Sequence, residues 1–322
     1  MKILITGAGG PSAISVWKSL GAEHQIFMAD MDACASGLFL VPAAQRLIVP
    51  RGDAPGFASH VLEQCQRLGI ELLISTVDAE LVPLARLSQE FAAQGIALPL
   101  SPLPALERCA DKLALLSAAQ AAGLATVPYF EALTAASSRE AFPVFAKPRR
   151  GAGGRGVQLV HNREELDALP QDGSYLLQEW LPGNEYSVDV YLRADGTGIA
   201  AVPRLRMRID SGIAMAARTQ HLPALSQAAI EMAQAIGVRY VANVQFREDA
   251  QGQPKLLEIN PRFPGTLPLT DAAGINLPAL LVAEVQGQKM PDALLPFQEV
   301  MTVRYLVEQV VDIAEWQALC PK

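Results

Sequence analysis

The chain has 322 residues, enough for about two domains with hydrophobic cores of their own, so its folding requires no disulfide framework. Half of the residues are hydrophobic and 18% are charged, a composition that excludes a disordered chain and a low-complexity repeat. The net charge of −7 gives no reason to expect a nucleic acid or a membrane as partner, so an anionic ligand must be held by a local cluster of donors.

The sequence also predicts the cellular compartment of the protein. Its first residues, MKILITGAGG, contain an apolar run that is too short for a secretory signal, and no stretch of 18 apolar residues predicts a membrane span. Cys34, Cys65, Cys109 and Cys320 lie far apart without a C-x-x-C motif, which argues against a zinc site or a redox pair. We therefore expect a cytoplasmic protein with reduced thiols.

The first hundred residues alternate between short apolar strands and helices. The sequence predicts strands at Lys2 to Thr6, Ile26 to Ala29 and Leu72 to Ser75, and a helix at Gly56 to Leu68. Strands that are joined by helices form parallel sheets, so we expect a parallel βαβ sheet over about residues 1–100.

A glycine turn, Gly7 to Gly10, follows the first strand. With Asp30 further on, it resembles half of a dinucleotide-binding fingerprint. Ser12 occupies the third glycine position of that fingerprint, and a turn from strand to helix requires glycine on conformational grounds alone. The conformational interpretation is therefore favoured over NAD binding.

A proline cluster divides the chain. Pro99, Pro102 and Pro104 interrupt both helix and central strand, so we expect a linker here and a new domain from about residue 106. Beyond it the sequence predicts an α+β fold whose antiparallel strands are arranged as hairpins. The predicted elements are helices at Asp111 to Gly123, Leu225 to Ile236 and Leu277 to Val285, and strands at Val144 to Lys147, Tyr175 to Leu181, Glu185 to Arg193, Tyr240 to Phe246 and Lys255 to Asn260.

Lys147 ends an apolar strand, where a buried ammonium requires an anion. The loop that follows, RRGAGGRG, combines free backbone N–H groups with guanidinium groups, which suits phosphate oxygens. A solvated basic hairpin is the alternative, but four glycines in six residues favour a phosphate cradle. Lys112, in the first turn of its predicted helix, is uninformative by itself.

The last two predicted strands are joined by a turn sequence, EDAQGQP. If the hairpin is centred between Gln251 and Gly252, Gln245 lies opposite Glu258 and Asn243 lies opposite Asn260, all on one face. A carboxylate and several amide oxygens then converge, which suits Mg²⁺ held between protein and phosphates. A polar solvent face is the alternative, but the apolar neighbours of the glutamate favour the metal site.

Two other polar patterns have open interpretations. Arg204, Arg206 and Arg208 alternate on one strand face and could steer an acidic substrate or protect a solvated edge, two readings that we weigh evenly. Glu185 lies on the polar face of its predicted strand, away from the apolar face, and a solvated hairpin explains this equally well.

Five motifs, in this order, resemble the ATP-grasp superfamily, in particular one ATP-grasp half of the carbamoyl-phosphate synthase large subunit. They are Asp111-Lys112, Phe145 to Pro148 with the GAGGRG loop, Gln178 to Glu185, Asn243 to Phe246, and Leu257 to Arg262. The resemblance implies an α/β protein with a Rossmann-like pre-ATP-grasp domain at 1–105 and an α+β ATP-grasp domain at 106–322. The latter would comprise a mobile lid subdomain at about 125–182 and a C-terminal subdomain at about 183–322.

The resemblance also implies roles for single residues. Those that would contact ATP, with adenine read largely through backbone groups, are Lys112, Lys147, Gly151, Gly153, Gly154, Gly156, Gln178, Glu179, Trp180, Leu181 and Glu185. Those that would hold Mg²⁺, or Mn²⁺ in its place, are Gln245, Glu258 and Asn260. Lys147 and Arg262 would act in catalysis, Arg262 by stabilising the transferred phosphoryl group.

Members of this superfamily mostly phosphorylate a carboxylate and let an amine or another nucleophile attack the acyl phosphate. We therefore expect an ATP-dependent carboxylate–amine ligase that releases ADP and phosphate, acts on small molecules and could form a homodimer. Arg204, Arg206, Arg208 and the segment from Asp78 to Glu80 are candidates for substrate contact. Two alternatives stay open: a non-catalytic ATP-binding regulatory protein, and an NAD-dependent oxidoreductase that uses the N-terminal domain.

Overall fold

The computed structural model describes residues 1–137, 141–151, 154, 156–210 and 212–320. The helices of this part of the chain are α1 (Pro11–Leu20), α2 (Phe57–Leu68), α3 (Asp78–Arg86), α4 (Ser88–Ala93), α5 (Leu103–Cys109), α6 (Lys112–Ala121), α7 (Arg163–Asp167), α8 (Pro223–Ile236), α9 (Leu267–Ala272), α10 (Leu277–Val285) and α11 (Ile313–Gln317). Among the described residues, none of these helices is long and apolar enough to cross a membrane.

The strands form three sheets. The first comprises β1 (Lys2–Thr6), β2 (Gln25–Asp30), β3 (Arg46–Ile48) and β4 (Leu72–Ile74). The second comprises β5 (Phe130–Thr134), β6 (Val144–Pro148), β7 (Gln158–Val160) and β8 (Asp172–Glu179). The third comprises β9 (Glu185–Leu192), β10 (Gly198–Asp210), β11 (Ile213–Thr219), β12 (Tyr240–Glu248), β13 (Pro254–Asn260) and β14 (Met301–Val303).

The first sheet is parallel, in the order β3-β2-β1-β4, as the alternation of strands and helices predicts. Its central strand β1 is apolar and has buried residues on both faces, because helices cover both sides. Three neighbouring strands end on the same side of the sheet: the glycine turn follows β1, Asp30 ends β2, and Thr76 comes shortly after β4. All three therefore lie at the carboxyl edge of this sheet.

The predicted hairpin of β8 and β9 is wrong, although both strands exist. β8 pairs with β5 and β6 in the second sheet, whereas β9 pairs with β10 and β12 in the third. The segment between β8 and β9 forms a hydrogen bond with β12 instead: the N–H of Gly183 donates to the carbonyl of Glu248 at 3.0 Å. A Cβ on Gly183 would lie 2.5 Å from the Cβ of Glu248, so glycine allows this close crossing between the sheets.

The third sheet is covered on both faces. The apolar face of β9 packs against α8. The polar face is also buried, because the parallel-sheet region packs there: Tyr191 belongs to one hydrophobic cluster with residues of β1 and α1, and Asp189 is fully buried. The alternative of a solvated hairpin is therefore wrong for this strand.

The hairpin of β12 and β13 has the predicted register at its polar end. Gln245 lies opposite Glu258 and Asn243 opposite Asn260. Nearer the turn the pairing shifts, with Phe246 opposite Leu256. Next to the turn, the pairs are symmetric about Gln251. The irregularity leaves one extra residue on β13, so the pairs beyond it are symmetric about the point between Gln251 and Gly252, and the predicted pairs are correct.

Candidate functional site

A cavity of about 410 Å³ lies between the second and third sheets. It brings together most of the residues to which the resemblance gave a role. Those that line it are Lys112, Lys147, Gly151, Gly154, Gln178, Leu181, Glu185, Gln245, Glu258, Asn260 and Arg262. A volume in this range is typical of pockets for small organic ligands.

Four of the predicted residues are not in this lining. Gly153 lies outside the described residues. The carboxylate of Glu179 accepts the N–H of Tyr129 at 2.8 Å, and Trp180 is 44% exposed. Gly156 has a φ of +73°, and a Cβ there would lie 2.9 Å from Cγ of Pro148, so its presence has a conformational reason.

Lys147 is the buried cation of the cavity, with 8% of its surface exposed. It lies on β6 with Phe145, two residues away, facing the cavity, while Val144 and Ala146 face the core of the second sheet. Burial lowers the pKa of Lys147 to about 8, and Glu258 partly opposes that shift. No carboxylate of the described chain forms an ion pair with the ammonium, so it is available to an anionic ligand.

The start of α6 anchors the glycine loop. Asp111 caps this helix through two backbone N–H groups and pairs with Arg149 at 2.7 Å and Arg150 at 3.3 Å. Burial acts to raise the pKa of the Asp111 carboxyl, but the hydrogen bonds from Arg149 and the helix outweigh it and the pKa is lowered. The ammonium of Lys112 donates to the carbonyl of Gly151 at 2.9 Å. Lys112 therefore connects the helix to the loop, a contact that its position in the sequence does not predict.

One end of the cavity is apolar and contains an unsatisfied acceptor. Phe145, Leu181 and Leu257 contribute its apolar walls. Gln178 is 1% exposed; its amide nitrogen lies 3.5 Å from the carbonyl of Leu256, and its Oε1 is buried without a hydrogen-bond partner. Because buried acceptors are normally paired, this oxygen indicates a ligand with an N–H donor, such as the amino group of adenine.

The predicted metal ligands meet on the opposite wall. The amide nitrogen of Asn260 donates to Glu258 at 3.1 Å, and that of Gln245 donates to Asn243 at 3.2 Å. The amide oxygens of Asn260 and Gln245 lie beside one carboxylate, and within the described chain each accepts only a long bond of 3.4 Å, from Arg262 and Arg206 respectively. Among the described residues, no three His, Cys, Asp or Glu side chains form a metal site. The set fits Mg²⁺ only if phosphate oxygens complete the coordination.

Arg262 is held in place from the N-terminal part of the chain. Its guanidinium makes two hydrogen bonds to Asp78, at 2.8 Å and 2.6 Å, across 184 positions of sequence. Asp78 begins α3 and lines neither cavity. The structure thus places Asp78 behind the arginine rather than in contact with a substrate.

Glu80, the other acid of that segment, is buried below the glycine turn. It accepts hydrogen bonds from Thr6 and, at 2.7 Å, from Ser75. Burial raises the pKa of Glu80 to about 7, although the two hydroxyl groups oppose the shift. Glu80 is outside the lining of both cavities and therefore does not fit the predicted substrate contact.

A second cavity, of about 360 Å³, adjoins the first. It extends from the third sheet to the carboxyl edge of the parallel sheet, where the glycine turn, Asp30 and Thr76 line it. The residues common to both linings are Arg206, Gly212, Ile213, Gln245, Asn260 and Arg262. We call these six residues the shared wall.

The three alternating arginines have different environments. Arg204 is 1% exposed and pairs with Asp189 at 2.5 Å, and Arg206 pairs with Glu185 at 2.5 Å. Both line the second cavity, whereas Arg208 is exposed and lines neither. An irregularity in the pairing between Arg206 and Arg208 breaks the alternation, which the sequence pattern alone does not reveal.

Two protein-family models match the chain. Residues 3–99 match the PylC-like N-terminal domain, and residues 171–309 match the family described as ATP-grasp in the biosynthetic pathway with Ter operon. The chain contains an ATP-grasp domain. This agrees with the resemblance in the five motifs, and the ATP-grasp domain follows a PylC-like N-terminal domain.

Curated relatives match about half of the chain. The carbamoyl phosphate synthase large chain of Clostridium beijerinckii is 27% identical over 175 residues, 48% of this chain and 16% of that protein. Acetyl-CoA carboxylase 2 of Oryza sativa subsp. japonica is 30% identical over 163 residues, 45% of this chain and 7% of that protein. The chain therefore matches less than a fifth of the length of these relatives.

Solved structures share the fold. The biotin carboxylase domain dimer of Hydrogenobacter thermophilus 2-oxoglutarate carboxylase, in complex with MgADP, ADP and bicarbonate, has a TM-score of 0.73 and 18% identity, covering 92% of this chain and 72% of that one. The N5-carboxyaminoimidazole synthetase of Staphylococcus aureus, complexed with ADP, has a TM-score of 0.75 and 15% identity, covering 95% and 82%. At these identities the comparison establishes the fold: a parallel-sheet domain followed by antiparallel sheets, as predicted.

Proposed function

We propose that this ATP-grasp protein is an ATP-dependent carboxylate–amine ligase. In the first step a carboxylate oxygen of the acid attacks the γ-phosphorus of ATP, and the bond to ADP breaks. In the second step an amine nitrogen attacks the acyl carbon and loses a proton, and phosphate leaves. The observation that carries this proposal is the shared wall, because a nucleotide cavity and an acceptor cavity meet there.

The first cavity is the proposed ATP site. The orphaned Oε1 of Gln178 and the apolar walls suit adenine, and Glu185 lies on the sheet face where the ribose would follow. Lys147 and Lys112, with Gly151, Gly154 and Gly156 of the loop, are proposed to bind phosphates. Gly153 has the same proposed role from the sequence alone.

Gln245, Glu258 and Asn260 are proposed to hold Mg²⁺, with Mn²⁺ as a substitute. The metal, when bound, would neutralise phosphate charge next to the transferring group. Arg262 is proposed to stabilise the same charge from the protein side, and its two bonds to Asp78 keep it oriented before the substrates bind. Catalysis by these groups is mainly positioning and charge stabilisation, which phosphoryl transfer requires.

A non-catalytic ATP-binding protein is the second candidate. It requires the first cavity but gives no reason for an adjoining acceptor cavity whose wall contains Arg262, Gln245 and Asn260. The oxidoreductase is disfavoured because Asp30 already accepts the N–H of Gly9 at 2.8 Å and so has a structural function in the glycine turn.

Further parts of the proposal rest on the resemblance. These are the division of the chain at about residue 105, a lid formed by residues 125–182, action in the cytoplasm and assembly as a homodimer. Light scattering of the purified chain tests the last of these directly.

The proposed function is tested by a screen for ADP release with mixtures of carboxylic acids, using hydroxylamine as a general amine. We expect an acid that stimulates ADP release and yields a hydroxamate. The variant Glu258→Gln should abolish this stimulation, whereas Glu231→Gln, an exposed position on α8, should leave it unchanged. Acid-stimulated ADP release that survives in Glu258→Gln would contradict the metal assignment.

A further inference from the structure

The first turn of α1 begins at the second cavity without a cap. Its preceding residue, Gly10, has no side chain that could accept a hydrogen bond, and Pro11 has no N–H. Within the described chain, the N–H groups of Ser12 and Ala13 have no acceptor either. Unsatisfied N–H groups at a helix N-terminus, with the positive end of the helix dipole, attract anions.

Three residues with hydroxyl groups line the same cavity, and each residue is more than nine-tenths buried. Ser12 is 6% exposed, Ser187 4% and Thr266 7%. None of these hydroxyls forms a hydrogen bond to another residue in the part of the chain that the structure describes. In the described chain these oxygens are not among the fully buried side-chain atoms that lack a partner, so each hydroxyl is open to the cavity and is available to a polar ligand.

Two of these hydroxyls belong to one end of the cavity. A Cβ on Gly265 would lie 3.1 Å from Cγ of Pro11 and 3.9 Å from Oγ of Ser12, so the turn before Thr266 lies directly against the start of α1. We call the first turn of α1, together with the hydroxyls of Ser12 and Thr266, the α1 pocket. Thr266 is four residues from Arg262, so this pocket lies within about 14 Å of the shared wall.

The charges around the cavity are consistent with an anion. The charged residues of its lining are Asp30, Arg204, Arg206 and Arg262. Each arginine is paired with a carboxylate outside the lining. Asp30 accepts the N–H groups of Gly9 at 2.8 Å and Asp32 at 3.0 Å, so its two oxygens are occupied. The donors left for a ligand therefore include the helix N–H groups, the hydroxyls and Nε of Arg204, which is buried without a hydrogen-bond partner.

We infer that the acid activated by this protein carries a second anionic group, a carboxylate or a phosphate, that binds in the α1 pocket. The inference rests on the proposed function for the acid's reacting carboxylate, which would lie at the shared wall. The short distance between the two ends restricts the acid to a small molecule. The second anion would then select the substrate and orient its reacting end toward the nucleotide.

Calorimetric titration of the full chain, saturated with ADP and Mg²⁺, tests this inference. The probes are butyrate, glutarate and 3-phosphonopropionate, which have one carboxylate, two carboxylates, and a carboxylate with a phosphonate. We expect at least one of the two longer dianions to bind ten or more times more tightly than butyrate. The tighter of the two identifies the second group as carboxylate or phosphate.

The variant Ser12→Asp places a carboxylate in the α1 pocket at a helix position where acidic residues are favourable, so the fold should be retained. It should lower dianion affinity at least tenfold and leave butyrate binding unchanged. Ser88→Asp adds the same charge to the first turn of α4, at an exposed position, and should have no effect. Thr266→Val removes a hydroxyl without adding charge and should weaken dianion binding in the same direction.

Equal binding of butyrate and both dianions, or undiminished dianion binding in Ser12→Asp and Thr266→Val, would overturn the inference. ADP affinity, measured first in the same samples, separates this failure from failure of the proposed function. A protein that binds ADP but not the dianions loses only the α1 pocket, whereas one that does not bind ADP loses the proposed function itself.

Discussion

Replacing Lys147 by methionine should weaken ATP binding and stabilise the free protein. The ammonium is buried and has no carboxylate partner in the described chain, so in the absence of nucleotide its charge is unfavourable. Methionine has a similar length and removes the charge without leaving a large cavity. A residue that served only as a structural cation would show the opposite pattern on substitution.

The lowered pKa of Lys147 sets the size of the expected stabilisation. A shift from 10.5 to about 8 corresponds to about 3 kcal/mol in favour of the neutral lysine. Below pH 8 both the folded and the unfolded state carry the proton, and the unfavourable charge is fully present. Between pH 8 and 10.5 only the unfolded state is protonated, so the free energy of unfolding should rise with pH. ATP affinity should fall over the same interval, because phosphate binding requires the ammonium.

The assay is urea unfolding and calorimetric titration with ATP and Mg²⁺ from pH 6.5 to 10. In Lys147→Met, the rise in stability above pH 8 should disappear, the stability at pH 7 should increase by on the order of 1 to 3 kcal/mol, and ATP affinity should fall at least tenfold. Lys289→Met, at an exposed position, is the matched control and should change neither quantity. A destabilised Lys147→Met variant with unchanged ATP affinity would refute the reasoning.

Three further substitutions test the roles of Glu80, Asp78 and Gln178. The pKa of Glu80 is raised to about 7, so between pH 4.5 and 7 the folded state holds a proton that the unfolded state has lost. The free energy of unfolding should therefore fall by up to about 1.4 kcal/mol per pH unit over this interval. In urea unfolding, Glu80→Gln should flatten this pH dependence, and an unchanged pH dependence would assign it to other groups. Asp78→Asn should lower turnover about tenfold with little change in ATP affinity, because the Asp78 carboxylate only orients Arg262. Steady-state kinetics measure this effect, and unchanged turnover would contradict the role given to Asp78. Gln178→Leu should weaken ATP binding about fivefold and narrow the preference for ATP over GTP, since it removes the unpaired acceptor; calorimetry with both nucleotides decides, and an unchanged preference would exclude the adenine contact.

Local sequence patterns predicted the elements that depend on local interactions. The helix α6 begins after its cap Asp111 as expected, and α10 has the predicted bounds. The facing pairs Gln245 with Glu258 and Asn243 with Asn260 also followed from sequence, because a hairpin relates them through one short turn.

Non-local relations could not be predicted in the same way. β8 and β9 are neighbours in sequence, but their partners come from distant segments, and their assignment to two sheets depends on those partners. The pairing of Arg262 with Asp78 joins residues 184 positions apart. The exposure of Arg208 depends on a local irregularity of β10 that alternation does not encode.

In the proposed reaction, both cavities contribute to one phosphoryl transfer, from ATP to the acid. It is tested most directly by following oxygen from an acid whose carboxylate is labelled with ¹⁸O, with hydroxylamine as the amine and the acid taken from the ADP-release screen. We expect ADP as the nucleotide product and one labelled oxygen in the released phosphate, because the carboxylate oxygen bonds to the γ-phosphorus and stays with it. Release of AMP and pyrophosphate, with the label in AMP, would contradict the account.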